Sequence, residues 1–373
     1  MRILWVGVLN SDYAVYNRSA ANPAATKWTR GLIGGLHDCH CHIHGLTHCY
    51  EQVWPRGDLN PKGAVNFDDI IPSEQVSYLN VPYVKNLSLV AAYRRRFREL
   101  ISTQNIDCVL LYNSMYPFHV AVMSEAKKMG IPSFPIILED DDPTCDSWRS
   151  ILKETRFAQG VVFLSKWAYD TYPGKLPVLH LDGGCRKWLG FESIAPKEPF
   201  VLYCGSLDHW RGLVFFKRVL DCLRETNIKF IVCGKTKNLE SLFSGYKNVD
   251  FRGFVSNEEL HLLHKQATLF VNTRDPNLGN NKLNFPSKVV NYLSYGKPVV
   301  STWTESFSDD YKKYLVLPAD QTPEKFAESV ADVFKWSDVE REEYRSAVKD
   351  WVCENKLWGK QAERLLSWIK CNV

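Results

Sequence analysis

The stretch FPSKVVNYLSYGKPVVST, Phe285 to Thr302, decides how the rest of this chain is read. Ser287 is a residue type that caps helix starts, and Gly296 stands where a helix ends before a strand at 298–301. Between them Val289, Val290 and Leu293 fall on one side. Lys288, Asn291, Tyr292 and Tyr295 fall on the other at i, i+3, i+4 and i+7. A helix start leaves backbone N–H groups unpaired and carries partial positive charge, so an anion is favoured there. Lys288 adds a full charge at the same end. Two readings follow: an anion-binding helix start, or an ordinary amphipathic helix of an α/β domain.

Working outward, short apolar runs bounded by turn signals alternate with helical patterns, as in a parallel α/β sheet. In the first half these predicted strands are 3–9, 37–43, 108–112, 133–138, 160–164 and 178–181. Asn22 is a good N-cap with Pro23 at the first helical position, so a helix is expected from there. The second half repeats the alternation with strands 200–204, 230–233, 249–251, 269–271 and 298–301. The stretch 190–198, with Pro196 and mixed charges, reads as the hinge. The expected domains are 1–190 and 199–345, followed by a C-terminal helical segment at 346–373. Ser337 and Glu340 form a capping box opening a helix, and Trp351, Trp358 and Trp368 supply an aromatic face to the tail.

Composition narrows the function classes. With 373 residues, 45% of them apolar, the chain can bury two sizeable cores. A net charge of +4 argues against a dedicated nucleic-acid binder. No apolar run approaches the ~20 residues of a membrane span, and the start MRILWVGVLNSDY reads as a buried first strand rather than a signal peptide. The eleven cysteines are read as reduced, mostly buried thiols, so a cytoplasmic enzyme is expected.

The stretch at 285–302 resembles the donor-site segment of GT-B glycosyltransferases, above all glycosyltransferase family 4, of the form S-P-x-K-hydrophobic-x-E-Y-hydrophobic-x-x-G-K-P-V. Pro286, Lys288, Tyr292, Gly296, Lys297, Pro298 and Val299 match it. Asn291 stands where that family has a glutamate that binds the donor ribose, and an amide can still hydrogen-bond two hydroxyls. The family's other glutamate falls at Leu283, which cannot. Leu202 to Gly212, LYCGSLDHWRG, is similar to the family's strand-to-helix turn: Gly205 matches its glycine, Arg211-Gly212 its basic-glycine pair, and Ser206 replaces an arginine. Arg211 is read as a clamp on the donor diphosphate or as a solvated surface arginine. VDFRGFVSNEEL, 249 to 260, is similar to the segment bordering the nucleobase, which makes Phe254 a base contact or a core residue.

The resemblance implies two Rossmann-like doubly wound domains facing across a cleft, with the last helix crossing back to the first domain. It implies a sugar nucleotide as donor substrate, no cofactor and no metal, a glycan or lipid-linked acceptor, and retention of anomeric configuration. Arg211, Lys288 and the helix start at Ser287 would meet charge developing on the leaving diphosphate. In family 4 the strand end at 138–140 carries a polar residue beside the transferred sugar, so Glu139 or Asp140 would touch sugar or acceptor. The competing reading of Glu139-Asp140-Asp141-Asp142 is an acidic cap for a helix at 144–150. The polar loop 272–284 offers Asn277, Asn280, Asn281 and Asn284 to sugar hydroxyls and phosphate, or to ordinary turns. Two other classes stay open. A degenerate GT-B protein could bind or activate a partner, since two glutamates are replaced; a sugar-nucleotide epimerase on the same fold needs acid/base residues whose positions the sequence does not single out.

Three further features carry weaker signals. Gly234-Lys235-Thr236 mimics the end of a phosphate-binding loop but lacks its upstream glycine, since Lys229 occupies that place, so it reads as a turn after a strand. HDCHCHIHGLTHC, 37 to 49, invites a metal but lacks paired C-x-x-C spacing, and is read as a strand with a His-rich edge. Residues 76–100 combine Tyr78, Leu79, Tyr83, Leu87, Leu89 and Val90 with Arg94-Arg95-Arg96-Phe97-Arg98. They are a candidate for peripheral membrane contact or acceptor binding, against the blander reading of a helix with a solvated basic face.

Overall fold

The computed structural model describes residues 1–7, 9, 23–62, 71–113, 116–137, 147–192, 194, 198–207, 212–234 and 243–373. The chain forms two compact units, Met1–Gly184 with Trp358–Val373, and Cys185–Leu357.

The first unit is a parallel sheet of β1 (Arg2–Val6), β2 (His42–His48), β3 (Ser73–Val76), β4 (Cys108–Tyr112), β5 (Ser133–Ile137), β6 (Val161–Phe163) and β7 (Val178–His180), in the order β3-β2-β1-β4-β5-β6-β7. Every residue of β4 and β5 is buried, as strands covered on both faces must be. Leu4 and Val6 join Val109, Leu111 and the helix residues Tyr93, Phe97 and Val122 in one core. Trp5 and Tyr112 look the other way, Tyr112 against Trp28 of the helix Pro23–Asp38. Trp28 meets Trp358 edge-on at 5.5 Å, which docks the last helix, Trp358–Cys371, on that face. The approach is close because two positions lack side chains. A Cβ on Gly31 would lie 2.1 Å from the Trp358 indole nitrogen, and one on Gly35 2.3 Å from its carbonyl oxygen. Gln361 Nε2 donates to the Gly183 carbonyl at 3.0 Å and completes the dock.

The second unit is a parallel sheet of β8 (Phe200–Cys204), β9 (Lys229–Cys233), β10 (Val249–Gly253), β11 (Leu269–Asn272) and β12 (Val299–Ser301), in the order β10-β9-β8-β11-β12. Val201, Phe230, Val271 and Val300 pack on Phe216, Val219, Phe326 and Val330 of the helices Leu213–Cys222 and Pro323–Phe334. On the other side Phe270 stacks on Tyr292 at 4.4 Å and 7°.

Several boundaries differ from those read in the sequence. The second strand runs His42–His48 rather than 37–43, because His37 and Asp38 end a helix and His40 turns the chain at φ 58°. β3 has no counterpart among the predicted strands: it is a sheet edge, and of its residues SEQV only Val76 is buried. The chain leaves the first unit at Gly184, before 190, since the Cys185 N–H donates to the Lys356 carbonyl and the Leu189 N–H to that of Ser294. The tail divides at Trp358 rather than 346. Residue 346 lies inside the helix Asp338–Asn355, which has the Ser337–Glu340 capping box and packs Trp351 on Tyr311 and Tyr314 of the second unit. Ten described cysteines are free thiols, and burial pushes Cys108, Cys185 and Cys233 up to about 12, which keeps them protonated.

Candidate functional site

In the second unit the strand order reverses between β8 and β11, where an open parallel sheet leaves room for a ligand beyond its carboxyl ends. β8 and β11 pair only at Val201–Leu269 and Leu202–Phe270, so they part before Cys204. One side chain takes up the Cys204 backbone. Its N–H donates to the Tyr292 hydroxyl at 2.9 Å, and that hydroxyl donates to the Cys204 carbonyl at 2.9 Å. Tyr292 thereby holds the helix Lys288–Leu293 over the end of β8. One turn earlier, Lys288 Nζ sits 4.3 Å from the centre of the Tyr203 ring and 3.6 Å from where a Gly205 Cβ would be. The Tyr203 hydroxyl donates to the Ser206 carbonyl at 3.0 Å. The fold thus brings Lys288, Gly205 and Ser206 together. Replacing Tyr292 with Phe leaves two backbone groups without this partner. It is expected to lower unfolding free energy by about 1–3 kcal/mol in a denaturant titration.

Gly212 opens the ten-residue helix Leu213–Cys222 beside the end of β11. It has φ +90°, and a Cβ there would lie 1.8 Å from the Thr273 carbonyl oxygen. The switch point is therefore flanked by a helix start, with its unpaired N–H groups, and by the Lys288 ammonium. At the end of β11, buried Asn272 Oδ1 and Thr273 Oγ1 meet no hydrogen-bond partner among the described residues, and neither does Asn284 Oδ1 ahead of the helix Lys288–Leu293. Buried acceptors left this way cost about 1–3 kcal/mol each, so a ligand or water is expected to reach them.

The remaining expected residues divide. Ser287 has helical angles, φ −53° and ψ −23°, and makes no side-chain cap bond. The expected N-cap is absent because the chain enters the helix through a turn, with the Ser287 N–H on the Phe285 carbonyl and the Val289 N–H on that of Pro286. Asn291 is exposed. Tyr295, on the same helical side by periodicity, is buried with its hydroxyl 2.7 Å from His261 Nδ1. Phe254 follows β10 and is 51% exposed, which removes the core alternative. Asn281 is buried and turned into its own loop: its carbonyl accepts from Arg274 Nη1 at 2.9 Å and its amide donates to the Asp275 carbonyl at 2.6 Å. Its side chain is a loop brace rather than an open donor contact. The backbone of Asn280 lies in the turn Gly279–Lys282, and its side chain is outside the described residues. Arg211, Glu139 and Asp140 also lie outside them. Lys297 is structural: its ammonium donates to the Lys265 and Ala267 carbonyls at the carboxyl end of the helix Asn257–Gln266.

Two features escaped the sequence reading. Arg274 is a buried guanidinium two residues after β11. In the first unit, beyond β2 and β4, residues from separate segments form a histidine–aromatic cluster. His48 lies 4.0 Å from Tyr50 and bonds the Tyr93 hydroxyl at 2.8 Å, while Phe118 lies 4.3 Å from His119. Burial pulls His119 down to about 3, so it is neutral, and neither ring nitrogen has a partner among the described residues. Of the histidines at 37–49, His44 pairs with Glu74 at 3.1 Å. Among the described residues no three His, Cys, Asp or Glu side chains converge to hold a metal.

Residues 198–335, from just before β8 to the end of Pro323–Phe334, match the family model described as glycosyl transferases group 1. A solved glycosyltransferase from Rickettsia africae superposes with a TM-score of 0.73 over 99% of this chain and 98% of that one, at 12% identity. The chain has a GT-B glycosyltransferase fold. Among other solved structures of similar fold, Anabaena Alr3699/HepE in complex with UDP has a TM-score of 0.69 at 14% identity, covering 100% of both chains. The lipopolysaccharide outer core galactosyltransferase WaaB in its apo form reaches 0.68 at 12% identity, again over 100% of both. No curated protein matches the chain by sequence. The matched residues 198–335 contain the described part of the β8–β11 site.

Proposed function

We propose that this chain transfers a sugar from a nucleotide-diphosphate sugar to a glycan or lipid-linked acceptor, with retention of anomeric configuration. The observation that carries this reading is the pairing, at one switch point, of the Lys288 ammonium over the Gly205 turn with the helix start at Gly212. UDP bound to the Anabaena neighbour supports a uridine diphosphate donor. As the bond from anomeric carbon to diphosphate oxygen lengthens, negative charge collects on the diphosphate, and Lys288, joined by Arg211, lowers the energy of that state. The acceptor oxygen bonds to the anomeric carbon on the face the diphosphate leaves. Its proton passes to the departing phosphate oxygen. Glu139 or Asp140 is assigned to sugar or acceptor, as the family resemblance implies. Release of UDP from a UDP-sugar only when an acceptor is added, with the product anomer read by NMR, tests the reading. Stable UDP binding with no turnover on any donor favours a partner role instead.

Two binding predictions belong here. Phe254, exposed at a strand end, is assigned to the nucleobase face, so Phe254→Ala should weaken UDP and uridine alike by about 0.5–1.5 kcal/mol, the scale of an aromatic contact. Asn291 is assigned to the ribose. Asn291→Ala should cost about 0.5–1.5 kcal/mol, while Asn291→Glu should be tolerated. Equal affinity of wild type and Asn291→Ala for UDP and its 2′,3′-dideoxy form returns Asn291 to the solvent face. The diphosphate charge is met by a lysine and a helix end, so turnover should persist in chelator. Loss of activity that manganese restores overturns that expectation.

A further inference from the structure

Seven of the eleven exposed large apolar side chains among the described residues of the first unit come from two segments. Val53, Trp54 and Leu59 come from one loop, and Leu79, Tyr83, Val84 and Leu87 from the entry to the helix Lys85–Thr103. Buried Asn80 holds the two segments together. Its carbonyl accepts from the Trp54 N–H at 3.0 Å and its N–H donates to the Leu59 carbonyl at 2.8 Å, while its amide donates to the Gln52 and Asp58 carbonyls. Lys85 Nζ adds a bond to the Glu51 carbonyl at 2.8 Å. The patch is therefore a braced surface.

Tyr83 is its most telling member. It is 99% exposed and sits at φ 64°. A left-handed backbone costs a bulky residue roughly 1–2 kcal/mol, and leaving an aromatic ring in water gains nothing in return. Around this apolar tip basic residues outnumber acidic ones, although Glu51 and Asp58 share the Trp54 loop. Residues 76–98 contain Lys85, Arg94, Arg95, Arg96 and Arg98 and no acidic residue. Leu87, Ala91, Arg94, Arg95 and Arg98 follow one helical line at i, i+4, i+7, i+8 and i+11, and all five are exposed. Arg94 and Arg98 share Glu125, and Arg95 reaches Glu99 only at 3.9 Å with 79% of its side chain in solvent.

We propose that this surface docks on an anionic lipid bilayer, with Trp54, Tyr83 and Leu87 in the headgroup–acyl boundary and the arginine line against lipid phosphates. Aromatic and aliphatic side chains beside a basic helical face are what such a boundary accepts. Complementary charge selects the bilayer over a second copy of this chain, which would bring the same positive line against itself.

Flotation of the full chain with phosphatidylcholine vesicles, and with vesicles also containing phosphatidylglycerol, tests the proposal without turnover. Binding should favour the anionic vesicles at least tenfold (about 1.4 kcal/mol) and weaken with salt. Tyr83→Ser with Leu87→Ser should weaken it about tenfold or more. Arg94→Ser and Arg95→Ser should weaken it roughly fivefold each. Trp54→Ser, from the other segment, should also weaken it, which guards against a folding defect in the double variant. UDP affinity should be unchanged in all of them, so failure here is distinct from failure of the donor reading. Equal retention on neutral and anionic vesicles, or none on either, overturns the proposal. So does a concentration-dependent dimer in ultracentrifugation that the Tyr83/Leu87 double variant abolishes.

Discussion

Lys288→Ala is expected to weaken UDP binding by about 1.5–3 kcal/mol, roughly 10- to 150-fold, while uridine affinity stays where it was. The magnitude is that of a hydrogen bond to a charged group, and the selectivity follows from position. Lys288 is held over the Gly205–Ser206 turn by a helix that Tyr292 anchors to Cys204, so its charge lies at the strand end rather than farther out toward Phe254. Calorimetry with UDP, UMP and uridine reads both parts. If Lys288→Ala and Lys288→Met bind UDP as the parent does, the diphosphate assignment fails. Arg211→Ala carries the same expectation on sequence grounds, because its position lies outside the described residues. On turnover the loss should be larger than on binding, since the charge on the diphosphate grows toward the transition state.

Gly212→Ala should lower the unfolding free energy of the chain by about 2–5 kcal/mol, combining left-handed backbone strain with overpacking. Both costs fall at one atom. The backbone has φ +90°, and the new methyl would lie 1.8 Å from the Thr273 carbonyl oxygen. Relief requires either the helix Leu213–Cys222 or the end of β11 to move, and Phe215 and Phe216 of that helix are packed in the core of the second unit. UDP binding should fall with stability, because the helix start and the strand end flank the same site. Gly279→Ala is the control: a Cβ there meets nothing within 4 Å, and a change within about 0.5 kcal/mol is expected. A thermal melt of Gly212→Ala that matches the control would remove the close approach from the account.

Much of the site was legible because it is local. Lys288 and Tyr292 are four apart, so helical periodicity alone puts them on one side, and both do face the end of β8. Gly205 and Gly212 stand in one strand-to-helix turn and could be read as such from eleven residues, Leu202 to Gly212. The same periodicity separates Tyr292 and Tyr295 from Val289, Val290 and Leu293, yet both tyrosines are buried. A helix can be covered on a polar-looking side when tyrosine hydroxyls find partners in the sheet, and Cys204 and His261 supply them. Ser287 was assigned a cap from residue type, but capping needs an extended backbone at that residue, which the turn at Phe285–Pro286 denies it.

Strand runs such as those at 108–112 and 200–204 follow from apolar content and flanking turns, and the order of helix and strand follows from the alternation of two periods. Those are nearest-neighbour properties, written in the chain itself. What the tertiary structure alone decided are the encounters between distant residues. These include Trp358 lying in the gap at Gly31 and Gly35, and Asn80 tying two loops into one apolar surface. They also include Asn281 turned inward by Arg274, and His48 and His119 reaching Phe118 from separate segments. Each depends on which surfaces the sheet brings within van der Waals or hydrogen-bond reach. Such contacts act over only a few ångströms and carry no periodicity along the chain, so no window of sequence contains them.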